Sequence, residues 1–355
     1  MKKRILAVLI ATALAVSVTG CVGNATSSSD STSASSVAES SDTSTQTSAD
    51  ASSEDESKDE SSQEESKDLE ANYTKYTLDG DLTQHMIDMS RLNEGNKVRL
   101  ANVIKKLKNG EEVTVGFIGG SITQGTSAGN DLCYAKLTAD WLQQTYSNAK
   151  INYVNAGIGA TGSYIGVHRV ENDLLSKKPD LVFVEFSVND TTENTERNKK
   201  SYDGLLRTIW KSSTNPAIIT IATTQEDGTS FQDQHAEIVK HYDLPMISYR
   251  NTILDTIKHG DIVWKDISDD NIHPNVPGHK IVSQLLQAYI SDVDKDVDNI
   301  SGSESDFTTP ATDAPIENGS LIQPSSATDV TATGAFGNYA VSYTHLRAHE
   351  TLMNL

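Results

Sequence analysis

Cysteine is nearly missing from this chain: among 355 residues there are only Cys21 and Cys133. Two thiols exclude a disulfide framework and a cysteine-built metal centre. Aromatic residues are few, at 6%. No apolar run reaches the roughly 20 residues that a membrane-spanning helix needs. Positive charge is also short. Against 49 Asp and Glu there are 29 Lys and Arg, a net charge of −20. Without a basic stripe, binding to a nucleic-acid backbone is excluded as the main task. The nine histidines form no His-Glu-x-x-His pattern, so the expectation is no metal and no cofactor.

The charge is unevenly placed. Residues 1–21 are positive, and residues 22–70 carry 13 acids and 17 serines in 49 positions with no aromatic. The stretch 71–292 is nearly balanced at −5, and 293–355 is acidic again. The first segment has Lys2, Lys3 and Arg4, an apolar run from Ile5 to Val18, and then Thr19-Gly20-Cys21. This is the layout of a secretory signal. A Cys directly after a small residue resembles the lipobox of bacterial lipoproteins, which implies acylation of Cys21. Residues 22–70 cannot bury enough apolar surface to fold and are expected to be an extended tether. The expected location is the bacterial cell surface, with membrane attachment through the lipid alone.

Residues 71–292 are long enough for one domain with a sizeable core. Apolar positions at helical spacing run over 82–107, and Asn109-Gly110 stops them. Short apolar runs at 113–118, 151–154, 181–186, 217–222 and 245–248 have the character of strands covered on both faces. Helical patterns at 132–146, 164–177, 198–212, 230–242, 251–259 and 277–291 alternate with them. Such alternation predicts an α/β fold, a parallel sheet with helices on both faces and ligands at the carboxyl ends of the strands.

Polar groups sit where that rule places them. The first run leads into Gly119-Gly120-Ser121-Ile122-Thr123-Gln124-Gly125, a corner at which a hydroxyl is presented. The second leads into Asn155-Ala156-Gly157-Ile158-Gly159-Ala160-Thr161-Gly162, and the third into Ser187-Val188-Asn189-Asp190. A late loop carries Asp270-Asn271-Ile272-His273. Three residues of separation let a carboxylate orient an imidazole, as in a Ser-His-Asp set. Each piece alone is weak, but their order is specific.

Together they resemble the SGNH hydrolases, the GDSL esterase and lipase superfamily, over residues 84–292. The sequence looks most similar to a bacterial extracellular subgroup with Gly-Gly-Ser-Ile-Thr in its first block. The resemblance implies a three-layer α/β/α sandwich with a mostly five-stranded parallel sheet of flavodoxin-like type, flanked by disordered linkers. It implies Ser121 as nucleophile, His273 as general base, and Asp270 as its orienting partner. It also implies an oxyanion hole from the Ser121 N–H, a second-block N–H and the Asn189 amide. Counting from Asn155 puts the second-block donor on Ala160, with Gly159 just before it. Ala serves there if the loop needs no positive φ. Gly120 replaces an Asp common in the family, and Ser187 replaces a Gly.

The implied activity is that of a serine esterase removing acetyl or other short acyl groups, on an extracellular polysaccharide. The protein is expected to be monomeric. A lipase or lysophospholipase on the same residues is one alternative. An inactive carbohydrate-binding or adhesion protein is another. Tyr134, Tyr164, His168 and Arg169 lie near the predicted loops as candidate substrate contacts. Residues 293–326 have a linker composition, and 327–355 begin like a β domain. The ending from about residue 343 resembles translated adapter sequence.

Overall fold

The computed structural model describes residues 73–191, 194–317 and 319. The expected signal segment 1–21 with Cys21, the tether 22–70 and the expected β segment 327–355 lie outside the described residues.

Six strands form one sheet. They are β1 (Arg91–Asn93), β2 (Glu112–Gly119), β3 (Lys150–Gly157), β4 (Leu181–Glu185), β5 (Ala217–Ala222) and β6 (Met246–Ser248), in the spatial order β1-β6-β5-β4-β2-β3. Strands β2 to β6 run parallel, and β1 joins the β6 edge antiparallel. The expected five-stranded parallel sheet is thus present, and a sixth, antiparallel strand extends its β6 edge.

Among the described residues there are ten α-helices: α1 (Gln84–Ser90), α2 (Val98–Lys108), α3 (Ser121–Gln124), α4 (Tyr134–Thr145), α5 (Ser163–Asp173), α6 (Thr195–Trp210), α7 (Gln232–His241), α8 (Tyr249–Lys258), α9 (Trp264–Ile267) and α10 (Val276–Lys295). The sheet separates two cores. Val113, Val115, Phe117, Leu181 and Phe183 face Leu100, Ile104, Leu142, Ile253 and Leu285. Their neighbours Ile118, Val182 and Val184 face Val167, Leu205, Ile209 and Ile238. Successive strand residues point to opposite faces, so both faces need apolar side chains. That accounts for the continuous apolar runs and gives the α/β/α sandwich.

Two expectations need correction. The single helix over 82–107 is two helices with β1 between them. The cause is Gly95 at φ 61°, where a Cβ would lie 2.2 Å from the Pro245 nitrogen. Only glycine lets the chain pass that close in a left-handed conformation. The boundary at 292 is also too early. α10 continues to Lys295, and residues 303–317 lie along the domain rather than forming a free linker. Phe307 stacks on Trp210 (4.5 Å between centroids) and on Tyr242 (3.9 Å). Arg207 donates to Phe307 O and to Glu317, and Arg99 to Glu304. One aromatic side chain in a polar stretch anchors what composition alone marks as a spacer.

Candidate active site

β2 neighbours β3 on one side and β4 on the other, so the chain leaves β2 and β4 in opposite directions. Their carboxyl ends form the crevice in which open α/β sheets bind ligands. Ser121 follows β2 as the first residue of α3, and Asn189 follows β4 in a 3₁₀ turn spanning Asn189–Thr191.

The Ser121 corner is tight for reasons of space. A Cβ on Gly119 would lie 2.1 Å from Thr123 Oγ1 and 2.4 Å from Glu185 O. A Cβ on Gly120 would lie 1.9 Å from Asn189 Oδ1. The Asp common at this position in the resembled family has no room here, because the Asn189 amide lies against the Gly120 backbone.

The late loop delivers the base. His273 Nε2 lies 2.9 Å from Ser121 Oγ, and His273 Nδ1 lies 2.8 Å from Asp270 Oδ2. The other Asp270 oxygen accepts the backbone N–H of Ile272 (2.7 Å) and of His273 (2.6 Å). The loop is braced from below. Trp264 Nε1 donates to Asp270 O, and the buried Ser268 hydroxyl lies within 2.8 Å of the carbonyls of Asp270 and His273. Burial pushes the Asp270 carboxyl up, but hydrogen bonds from the His273 ring and the two amides outweigh it and leave its pKa below the usual value. Asp270 is therefore a carboxylate facing Nδ1. That fixes the proton on Nδ1 and leaves the Nε2 lone pair toward the Ser121 hydroxyl.

The second-block loop is stitched to its neighbours. Asn155 Nδ2 donates to Thr123 O at 2.8 Å, and its Oδ1 accepts from Gly157 N. The Gly159 N–H donates to Gln124 Oε1 at 2.8 Å. That bond uses the Gly159 donor, so Gly159 is not aimed at an oxyanion. Neither the Ala160 N–H nor the Ser121 N–H is hydrogen-bonded within the described residues. Ala160 does adopt φ 58°. The loop therefore needs a left-handed residue, and at that φ Ala is not equivalent to Gly. Ala160 bears a strain of about 1–2 kcal/mol.

Behind Asn189 lies a buried staple with no local signal in the sequence. Asp190 Oδ1 accepts the Ser163 N–H at 2.7 Å, and its Oδ2 meets His235 Nε2 at 2.9 Å. The Asp190 carbonyl accepts from Asn198 Nδ2. The His235 ring stacks 3.6 Å from Tyr202. Asp190 thus ties the Asn189 turn to the start of α5, directly after the Ala160 loop. Further in, Glu185 is fully buried, and burial raises its carboxyl to about 7 despite hydrogen bonds from Thr223 and Ser187.

Of the four suggested substrate contacts, two are internal braces. Tyr134 is buried with its hydroxyl 2.7 Å from Thr123 Oγ1. Arg169 is buried and donates to Ala156 O and Gly119 O, clamping the ends of β3 and β2. Tyr164 and His168 are half-buried and in edge contact with each other.

Among the described residues, His85, Asp255 and His259 bring ligand-type atoms within 4.8 Å of one another. His259 Nδ1 lies 2.9 Å from Asp255 O and 3.2 Å from its carboxylate.

Residues 117–281 match the model of the GDSL-like lipase/acylhydrolase family. Among solved structures, the chain is similar to a two-domain esterase active on acetylated mannans, at 38% identity. One structure of that esterase, co-crystallised with mannopentaose, gives a TM-score of 0.59 over 64% of this chain and 60% of that one. Another gives 0.61 over 64% and 61%. A catalytic mutant of an acetylxylan esterase from Geobacillus stearothermophilus matches at 19% identity and a TM-score of 0.44, over 50% of this chain and 94% of that one. The chain spans about 60% of the length of the mannan esterase structures it matches. No curated protein matches the sequence.

Proposed function

We propose, from the match of residues 117–281 to the model of the GDSL-like lipase/acylhydrolase family, that this chain is a serine esterase removing acetyl or other short acyl groups from polysaccharide. The observation that carries this reading is the unbroken relay Ser121 Oγ–His273–Asp270, at 2.9 and 2.8 Å. The likeness to an esterase active on acetylated mannans supports the choice of acyl group and carrier.

In this reading, His273 Nε2 takes the Ser121 hydroxyl proton as Oγ attacks the acyl carbon. The resulting oxyanion is held by the N–H groups of Ser121 and Ala160 and by the Asn189 amide. Collapse breaks the bond to the sugar oxygen, which takes the proton from His273. Water then repeats the sequence on the acyl-enzyme and releases the carboxylic acid and free Ser121. One chain supplies every group, which supports a monomeric enzyme. The signal pattern ending in Cys21 supports a lipid-anchored position on the outer surface, where such polymers are met.

The test is acetate release from acetylated mannan and acetylated xylan, beside hydrolysis of 4-nitrophenyl esters of rising chain length. Acetate release with a preference for the shortest esters is expected. A preference for chains beyond about eight carbons, as long-chain lipid substrates demand, overturns the proposal.

A further inference from the structure

We infer that Gln124 is a specificity-determining residue, whose side-chain NH₂ donates to an oxygen of the sugar that carries the scissile ester. The inference rests on the substrate class proposed above.

Three observations carry it. The first concerns orientation. An amide side chain is ordinarily ambiguous between oxygen and nitrogen. Here the group facing Gln124 is the Gly159 N–H, a donor, at 2.8 Å. Only Oε1 can accept it, so Nε2 occupies the other branch of the amide. The second concerns place. Gln124 is the last residue of α3, the one-turn helix that begins at Ser121. A side chain on Gly159 would begin 2.9 Å from Gln124 Oε1 and 3.8 Å from Ser121 Cβ. The glycine thus leaves open the space shared by the nucleophile and this amide. The third concerns availability. Gln124 is exposed, and among the described residues its Nε2 makes no hydrogen bond. A side chain held through its acceptor, on the one-turn helix that begins at the nucleophile, keeps two unspent donors and has already lost part of its rotamer freedom. A substrate hydrogen bond then costs less ordering.

The donor character selects the ligand chemistry. The ester carbonyl oxygen is met by the Ser121, Ala160 and Asn189 groups. The oxygens left for an NH₂ at the rim belong to the alcohol side of the ester. In an acylated polysaccharide these are neighbouring hydroxyl and ring oxygens, all of them acceptors. A small aryl ester has no such oxygens.

The experiment compares the full chain with Gln124→Glu and Gln124→Met on acetylated mannan and on 4-nitrophenyl acetate. Gln124→Glu keeps an acceptor for the Gly159 N–H and removes both donors. Gln124→Met removes donor and acceptor without adding charge. The readout is the ratio of kcat/KM on the mannan to kcat/KM on the small ester. That ratio is expected to fall about three- to tenfold in both variants, mainly through a higher KM on the mannan. A ratio within twofold of wild type in either variant overturns the role of Gln124 and leaves the esterase reading standing. Wild-type protein that hydrolyses 4-nitrophenyl acetate but frees no acetate from the mannan overturns the substrate class, and this inference with it.

Discussion

At the scale of the residue, the relay depends on Asp270 remaining a carboxylate. Asp270→Asn keeps a carbonyl for the amides of Ile272 and His273, but it turns an NH₂ toward His273 Nδ1. The imidazole then carries its proton on the wrong nitrogen. The expected result is a fall in kcat of about 10²–10⁴ with KM little changed, read by steady-state kinetics. Glu185 gives a prediction of opposite character. Its folded pKa, near 7, lies above the usual carboxylate value because of burial. The folded protein therefore holds a proton there that the unfolded chain releases. The stability Glu185 contributes is full below about pH 4.5 and is lost as pH rises through 7, on the order of 3 kcal/mol. Glu185→Gln does not titrate, so its Tm relative to wild type is expected to be higher at pH 8 than at pH 4.5. An equal difference at both values contradicts this. Ser121, Asp270 and His273, which the structure brings together, could be picked out in the sequence because they stand at the strand ends and late loop in the chain order of the resembled family. Gln124 and the Asp190–His235 staple could not. Their roles come from single contacts between residues 35 and 45 positions apart, Gly159 with Gln124 and His235 with Asp190. No local spacing announces them.

At the scale of the element, the corners at the carboxyl ends of β2, β3 and β4 are fitted to one another with little slack. Gly120 leaves room for Asn189, and Gly159 leaves room for Gln124. Ala160 is the misfit, a non-glycine residue at φ 58°. Ala160→Gly removes the left-handed strain, while its greater unfolded-state freedom offsets part of the gain. A net gain of about 0.5–1 kcal/mol is expected, seen as a Tm one to a few degrees higher. A lower Tm contradicts the strain argument. Helix and strand positions followed the apolar periodicity closely, since burial on both sheet faces sets that pattern. The failure at 82–107 is instructive. Apolar spacing continued through Leu92 and Val98, but the chain between them carries Asn93-Glu94-Gly95-Asn96. A close backbone approach to Pro245 decided the break. Periodicity records which side chains are buried, not where two backbones meet.

At the scale of the whole molecule, the domain is closed by a segment that composition assigns to a spacer. Residues 303–317 cross α6 and end with Ile316 against Gly204, where a Cβ would lie 1.8 Å from Ile316 O. The buried Phe307 between Trp210 and Tyr242 is the anchor. Phe307→Ala is expected to cost about 3 kcal/mol and to lower Tm by several degrees. A change within about 0.5 kcal/mol in urea unfolding contradicts the strap as a structural part. The strap was illegible because a single apolar residue among Ser, Thr, Asp and Pro gives no periodicity. Its partners Trp210, Tyr242 and Arg207 come from elements that themselves read as ordinary helix ends.

The central claim is that Ser121 is a nucleophile activated by His273. Labelling of the full chain with a fluorophosphonate, read by intact mass and peptide mapping, tests it most directly. One adduct on Ser121 in the wild-type protein and none in Ser121→Ala is the predicted result. Equal labelling of the two proteins, or an adduct on another residue, would contradict the account.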